Sequence, residues 1–172
     1  MKNIAYLTLL LAFLSCSTNK TEVASSKIKK TDSLTIQILA KISFPSGDGL
    51  TIAANLYHKD NSAPVIVLCH QARFNKFEYT GIAKTLWDKG FNCLAIDQRS
   101  GGGIVEEINE TNLEAKKQNK AVDFLDAEQD VIAAVNFASK KYGKKIILWG
   151  SSYSSVLALY TAIANDSVKA VI

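Results

Sequence analysis

The segment best placed to do chemistry is the turn at residues 150–154, Gly-Ser-Ser-Tyr-Ser, which follows an apolar run and precedes a helical pattern. A serine at a sharp strand-to-helix turn is strained and can serve as a nucleophile. Gly150 and Ser154 suit such a turn, because neighbouring backbone passes close to the serine, although glycine is usual at the second position. The helix dipole would stabilise negative charge at Ser152. The simpler alternative is that Ser151 or Ser152 only caps the helix.

Two other polar segments stand at the ends of apolar, strand-like runs. His70, Gln71 and Ala72 follow the run 65–69, and residues 97–103, Asp-Gln-Arg-Ser-Gly-Gly-Gly, follow the run 91–96. Three consecutive glycines also occur in phosphate-binding loops. That function is excluded here, because no Gly-Lys-Ser/Thr follows and no helix begins there.

The order of strand-like and helical patterns along the chain predicts an α/β protein. It would have a doubly wound, mostly parallel sheet and an N-terminal antiparallel hairpin. Alternating residues 36–44 and 50–57, around the turn 45–49, predict the hairpin. Continuous apolar runs predict strands that are buried on both faces. These runs are residues 65–69, 91–96, 145–149 and 168–172. Helices are predicted over residues 78–89, 123–142 and 152–164. The order is therefore a hairpin followed by β-α-β-α-β-α-β.

The N-terminus has the pattern of a targeting signal. Lys2 precedes an apolar run, residues 4–14, that is too short to span a membrane and suits a signal peptide. The run ends in Phe-Leu-Ser-Cys, which resembles the lipobox of bacterial lipoproteins and implies lipidation of Cys16. We expect an exported, membrane-anchored lipoprotein of the bacterial cell envelope; simple secretion is the alternative.

The chain accordingly divides into three segments. Residues 1–15 are interpreted as the signal peptide, residues 16–33 as a flexible Ser/Thr/Lys-rich tether, and residues 34–172 as the folded domain. Residues 104–122, which are polar, are interpreted as a solvated loop rather than a lid.

Composition excludes several classes of site. The net charge of +4 comes with scattered lysines, which argues against a nucleic-acid partner. Two histidines and no Cys-x-x-Cys pair predict no metal site, and no cofactor is expected. Cys69 and Cys93 are predicted to be free thiols. In neighbouring parallel strands they would lie ~10 Å apart along the strand axis, too far for a disulfide.

Taken together, the three motifs resemble the α/β-hydrolase superfamily from about Ile36 to Ile172. The turn at Ser152 resembles the nucleophile elbow of this superfamily. The resemblance implies that Ser152 is the nucleophile and that the Tyr153 amide forms half of the oxyanion hole. The Gln71 or Ala72 amide would form the other half.

The resemblance also assigns structural roles. His70 would anchor the loop after its strand, and Asp97 and Arg99 would pin the loop that resembles a D-x-R-G-x-G motif. Gly150 and Ser154 would supply the small residues of the elbow. The His-Gln-Ala segment, with Glu78 and Tyr79 downstream, is similar to dienelactone hydrolases and acyl-peptidases.

The function implied is a serine hydrolase that transfers an acyl group from an ester, thioester or amide to water, with a small-molecule or peptide substrate. In this superfamily the catalytic acid and histidine follow the nucleophile. We therefore expect the domain to be incomplete at its C-terminus, with both residues beyond Ile172, and the 172-residue chain to lack meaningful esterase activity. The alternative is a non-catalytic, surface-tethered lipoprotein that retains the hydrolase fold.

Overall fold

Six strands form one mixed sheet in the computed structural model, which describes residues 39–103 and 107–172. The strands are β1 (Leu39–Pro45), β2 (Thr51–Tyr57), β3 (Val65–Cys69), β4 (Asn92–Ile96), β5 (Ile146–Gly150) and β6 (Val168–Val171). Their spatial order is β1-β2-β4-β3-β5-β6. The β1–β2 and β2–β4 pairs are antiparallel, and the β3–β4, β3–β5 and β5–β6 pairs are parallel. The predicted doubly wound sheet with its N-terminal hairpin is confirmed.

Several predicted features lie outside the described residues. These are the signal peptide, the tether, Cys16, the first residues of the predicted hairpin and residues 104–106. Among the helices that the structure describes, none has the length and apolar character needed to cross a lipid bilayer.

Four helices cover the two faces of the sheet. They are α1 (Thr80–Asp88), α2 (Glu110–Lys117), α3 (Glu128–Tyr142) and α4 (Tyr153–Ala164). Short 3-10 turns, Lys76–Tyr79 and Leu125–Ala127, precede α1 and α3. Ala83 of α1 packs on one face, against Ile66 and Leu68 of β3. The other three helices contribute to the larger core on the opposite face, which contains every second residue of β2 and β3. Strands β3 and β4 are buried throughout because both faces are covered.

The interpretation of residues 104–122 as a solvated loop is wrong, because α2 lies within this stretch. Asn109 caps the helix by accepting a hydrogen bond of 2.8 Å from the Asn112 amide. The buried face of α2 consists of Thr111, Asn112 and Ala115, and the Thr111 hydroxyl accepts from the Ala53 amide at 2.9 Å. The stripe is made of small and polar residues, so the apolar periodicity that reveals most helices is missing.

The long third helix begins later than predicted. The sequence pattern starts it at Asp123, whereas the helix runs from Glu128 to Tyr142. Its C-terminus matches the prediction, because Gly143 ends the helix with φ +62°.

The two cysteines of the domain are free and buried, as predicted. Cys69 is opposite Ile96 and Cys93 is opposite Ile66 in the β3–β4 register, which gives the expected three-residue offset. The thiols also belong to cores on opposite faces of the sheet. Burial raises the pKa of Cys93 to about 12, so this thiol is inert as a nucleophile at neutral pH.

Candidate active site

Ser152 lies on the turn between β5 and α4, with its residue exposed to solvent. Its backbone has φ +54° and ψ −121°, a left-handed conformation that costs a non-glycine residue about 1–3 kcal/mol. Gly150 makes the turn possible, since a Cβ built there would lie 2.4 Å from the Ser154 carbonyl oxygen. A simple helix cap needs neither feature, and the Ser152 side chain makes no capping hydrogen bond.

The elbow (residues 150–154) is hydrogen-bonded to the end of β3. The Ser151 amide donates to the Cys69 carbonyl at 3.1 Å, and the Ser154 hydroxyl donates to the His70 carbonyl at 2.6 Å. The Tyr79 hydroxyl donates to the same Cys69 carbonyl at 2.8 Å. These contacts bring the Ser152 turn and the β3 loop (residues 70–75) together at the carboxyl ends of the parallel strands.

The two amides considered as oxyanion donors in the β3 loop differ in their hydrogen bonding. The Gln71 amide donates to the Glu78 carboxylate at 2.9 Å, so an anion already occupies it. The Ala72 amide has no acceptor within residues 39–103 and 107–172. The Tyr153 amide is the first of α4 and therefore has no partner within the helix. Of the three amides considered as oxyanion donors, those of Ala72 and Tyr153 have no acceptor within the described residues.

His70 is fully buried, and both of its ring nitrogens are engaged. Nε2 accepts from the Gln98 amide at 2.9 Å, so the proton resides on Nδ1 and is donated to the Gln71 carbonyl at 2.8 Å. Burial lowers the pKa of His70, which keeps the ring neutral. A neutral ring bonded in this way ties the β3 loop to the loop after β4. Its predicted role as an anchor remains a prediction.

His70 is expected to make folding stability fall as the pH drops below about 6.5, the pKa of an unfolded histidine. The pKa of His70 is lower in the folded state, so the unfolded chain takes up the proton at a higher pH than the folded chain does. Below that pH, protonation lowers the free energy of unfolding by up to about 1.4 kcal/mol per pH unit. Urea unfolding at pH 7.5 and 5.5 measures this loss. His70→Gln should remove most of the difference, and His58→Gln should keep it. An equal loss in wild type and His70→Gln would contradict the expectation.

Asp97 directly follows β4, is fully buried and accepts hydrogen bonds from two other backbone segments. Its carboxylate accepts from the Lys76 amide at 2.8 Å and from the Glu110 amide at 2.9 Å. It also pairs with the Lys76 ammonium at 2.7 Å, and Lys76 is only 1% exposed. Lys76 was not among the residues singled out in the sequence.

Arg99 lies between two carboxylates. Its guanidinium donates to both oxygens of Asp130, the shortest distance being 2.7 Å, and to Asp48 in the β1–β2 turn at 2.9 Å. Its amide also donates to Asp130 at 2.8 Å. The hydrogen bonds from Arg99 hold the pKa of Asp48 well below its usual range. The arginine thus joins the loop after β4 to α3 and to the hairpin.

An open cleft of about 660 Å³ lies beside the elbow. Its lining includes Arg73, Ser100, Phe124 and Leu125. Both Ser100 and Phe124 contact Tyr153: the Ser100 hydroxyl lies 2.5 Å from the Tyr153 hydroxyl, and the Phe124 and Tyr153 ring centroids are 4.7 Å apart. The lining of this cleft offers both apolar and charged groups.

Neither histidine of the sequence is placed to serve Ser152 as a base. His70 has both nitrogens engaged, as described above. His58 follows β2, whose last residue is opposite Cys93 near the start of β4, so it lies at the amino ends of the parallel strands. There its Nδ1 is 3.1 Å from the Tyr142 hydroxyl. Within the described residues, no three His, Cys, Asp or Glu side chains are grouped as a metal site would require.

Comparison with known proteins gives structural matches alone. No protein-family model and no curated sequence matches the chain. An α/β hydrolase, GrgF, from Penicillium sp. sh18 superposes with a TM-score of 0.61 at 22% identity, covering 77% of this chain and 44% of its own. A thermostable carboxyl esterase from Bacillus coagulans superposes with a TM-score of 0.60 at 16% identity, covering 77% and 43%. The chain has the α/β-hydrolase fold.

The α/β-hydrolase fold does not by itself select the reaction. The same comparison finds an epoxide hydrolase from Mycobacterium thermoresistibile, with a TM-score of 0.55 at 18% identity over 77% of this chain and 38% of its own. The chain also spans less than half the length of the first matched structures, 44% and 43%. Only the residues of the candidate active site can therefore indicate which reaction this chain supports.

Proposed function

We propose that the chain carries the nucleophile half of a serine hydrolase, which in its intact form transfers the acyl group of an ester, thioester or amide to water. The observation that carries the proposal is the left-handed backbone of Ser152 on the β5–α4 turn. Strain of this kind is retained where a function requires it. A serine at this position also distinguishes the site from epoxide hydrolases, in which an aspartate is usual.

In the proposed reaction, the Ser152 hydroxyl oxygen bonds to the substrate carbonyl carbon and gives its proton to a base. The carbonyl oxygen becomes an oxyanion, which the amides of Ala72 and Tyr153 bind. Each such donor is worth about 3–4 kcal/mol in well-studied enzymes. As this intermediate collapses, the leaving group takes the proton from the base and departs as an alcohol, thiol or amine, and the acyl group stays on Ser152. Water, giving a proton to the same base, then attacks the acyl carbon, the acid is released and the proton returns to Ser152. The cleft beside Tyr153 would hold a small-molecule or peptide acyl substrate.

The base and its acid partner are proposed to come from chain that is not among these 172 residues. Ser152 needs a base, because an unassisted hydroxyl is a poor nucleophile at neutral pH. The surface of α4 is consistent with this, since four large apolar residues along one face are at least 48% exposed. They are Val156, Leu159, Tyr160 and, at 84%, Ile163. Further chain of the intact domain would cover this face.

The proposal includes a membrane anchor at the N-terminus. Cys16, after the apolar run 4–14, would carry the lipid, and residues 16–33 would link it to the domain. The substrate would then be met at the bacterial cell envelope. The same proposal includes a relationship to dienelactone hydrolases and acyl-peptidases. It rests on the resemblance of residues 70–72, with Glu78 and Tyr79, to those families.

Labelling by a fluorophosphonate tests the proposed nucleophile. With imidazole supplied as an external base, we expect slow phosphonylation of the 172-residue chain at Ser152, because the elbow exposes this hydroxyl beside two open amides. Peptide mass spectrometry should find the adduct on Ser152 in wild type and in Ser155→Ala, and no adduct in Ser152→Ala. Equal labelling of Ser151, Ser152 and Ser155 would overturn the proposal in favour of a binding protein with this fold.

A further inference from the structure

Gln98, Ser154 and His70 form a closed ring of hydrogen bonds beneath the elbow. The Gln98 amide donates to His70 Nε2 at 2.9 Å, the Gln98 side-chain Nε2 donates to the Ser154 hydroxyl at 3.0 Å, and that hydroxyl donates to the His70 carbonyl at 2.6 Å. All three residues are fully buried. The ring therefore joins the β3 loop, the loop after β4 and the elbow away from solvent.

The Gln98 side chain extends the ring to further polar groups. The second hydrogen of the Gln98 side-chain amide goes to the Tyr153 hydroxyl at 2.9 Å, and that hydroxyl contacts Ser100. The Ser154 hydroxyl has one proton and two acceptors within reach, the His70 carbonyl at 2.6 Å and the Gln98 side-chain oxygen at 3.1 Å. Moving any of these buried groups away from its partner would leave polar atoms unpaired, which favours one arrangement of the three loops.

The ring contains the residue in which this elbow departs from the usual Gly-x-Ser-x-Gly pattern. A glycine at position 154 has no side chain and could bond to neither His70 nor Gln98. Ser154 fits at this crowded place, fully buried beside Gly150, and adds a bond from the elbow to the loop that carries Ala72. The hydroxyl that serine adds at position 154 is thus bonded to Gln98, which lies in the loop after β4.

We propose that Ser154 and Gln98 are positioning residues, which fix the distance between the Ala72 amide of the β3 loop and the Tyr153 amide of the elbow. Neither side chain touches a substrate, since both are buried. They act on the peptide groups that would face the oxyanion. That the ring positions oxyanion donors rests on the hydrolase function proposed above. That the ring couples the β3 loop to the elbow does not depend on that function.

Amide NMR spectra of the 172-residue chain without ligand test the coupling. Ser154→Ala and Gln98→Leu should each shift the Ala72 and Tyr153 amide signals, and Ser154→Ala should also shift that of Gln71. Ser155→Ala is the matched control, because the Ser155 hydroxyl donates to the Ser152 carbonyl at 2.6 Å and makes no hydrogen bond to the β3 loop among the described residues. Its Ala72 signal should stay in place. An unchanged Ala72 signal in both ring variants, or an equal shift in Ser155→Ala, would overturn the inference.

The affinity of phenylboronic acid for Ser152 tests the purpose of the ring. Ser154→Ala should weaken binding up to about tenfold, the effect of one hydrogen bond, whereas Ser155→Ala should bind as wild type does. Unweakened binding in Ser154→Ala would contradict the positioning role. If wild type binds no boronate at Ser152 but the Ala72 signal still shifts, the coupling stands and the proposed hydrolase function fails.

Discussion

Replacing Arg99 by methionine is expected to lower the free energy of unfolding by about 3–5 kcal/mol, the cost of removing one partner of a buried ion pair. Arg99 is 1% exposed, and Asp130 is fully buried with three hydrogen bonds from the guanidinium. Without the arginine side chain, Asp130 keeps only the hydrogen bond from the backbone amide of residue 99. Its carboxylate then either stays buried as an unpaired charge or takes up a proton. The loop after β4 would also lose its link to Asp48 in the hairpin.

Urea unfolding at pH 7.5 measures this loss, and Arg73→Met is the matched control. Arg73 is an exposed arginine in the β3 loop, so its replacement should change the free energy of unfolding by less than about 0.5 kcal/mol. The loss in Arg99→Met should shrink if Asp130 is also replaced by asparagine, because the double variant buries no unpaired charge. A loss below 1 kcal/mol in Arg99→Met would show that the buried pair is not formed.

Replacing Gly150 by alanine is expected to disrupt the elbow. The new Cβ would lie 2.4 Å from the Ser154 carbonyl oxygen and 2.6 Å from the Ser155 Cα, and both atoms belong to the backbone. The start of α4 would have to move, which would displace Ser152 and the Tyr153 amide. Overpacking of this kind costs about 1–3 kcal/mol, and fluorophosphonate labelling of Ser152 should fall to the level of Ser152→Ala.

Gly81→Ala is the control for this variant. Gly81 lies in α1 with no atom within 4 Å of its built Cβ, so alanine should raise stability by up to about 1 kcal/mol. Its labelling at Ser152 should equal that of wild type. If Gly150→Ala were labelled as fast as Gly81→Ala, the tight β5–α4 turn would not exist in solution.

Strands β3, β4 and β5 could be predicted from the sequence because each is a run of apolar residues with clear ends. β3 and β4 are buried on both faces, and β5 is buried on one face and partly buried on the other. The runs at 65–69, 91–96 and 145–149 differ from the observed strands by one residue or less at each end. The offset between Cys69 and Cys93 followed from the same register. Helix α2 was missed, because Thr111 and Ala115 bury a face that carries no large apolar side chain.

The elbow was visible in the sequence because its steric requirements restrict it to small residues around Ser152. The partners that hold it were not visible, since their contacts join loops distant in the chain. Gln98 and Lys76 read as ordinary polar residues, and nothing local shows that both are buried. Only the departure at Ser154 hinted that a compensating partner existed. The hydrogen bond from the Gln71 amide to the Glu78 carboxylate was also not visible in the sequence.

A crystal structure of the chain with phenylboronic acid tests the central claim most directly, because a boronate on serine imitates the tetrahedral intermediate. The account predicts a bond from boron to the Ser152 side-chain oxygen. It also predicts one boronate oxygen about 2.7–3.1 Å from the amide nitrogens of both Ala72 and Tyr153. Boron bound to another residue, or a boronate on Ser152 whose oxygens face neither amide, would contradict it.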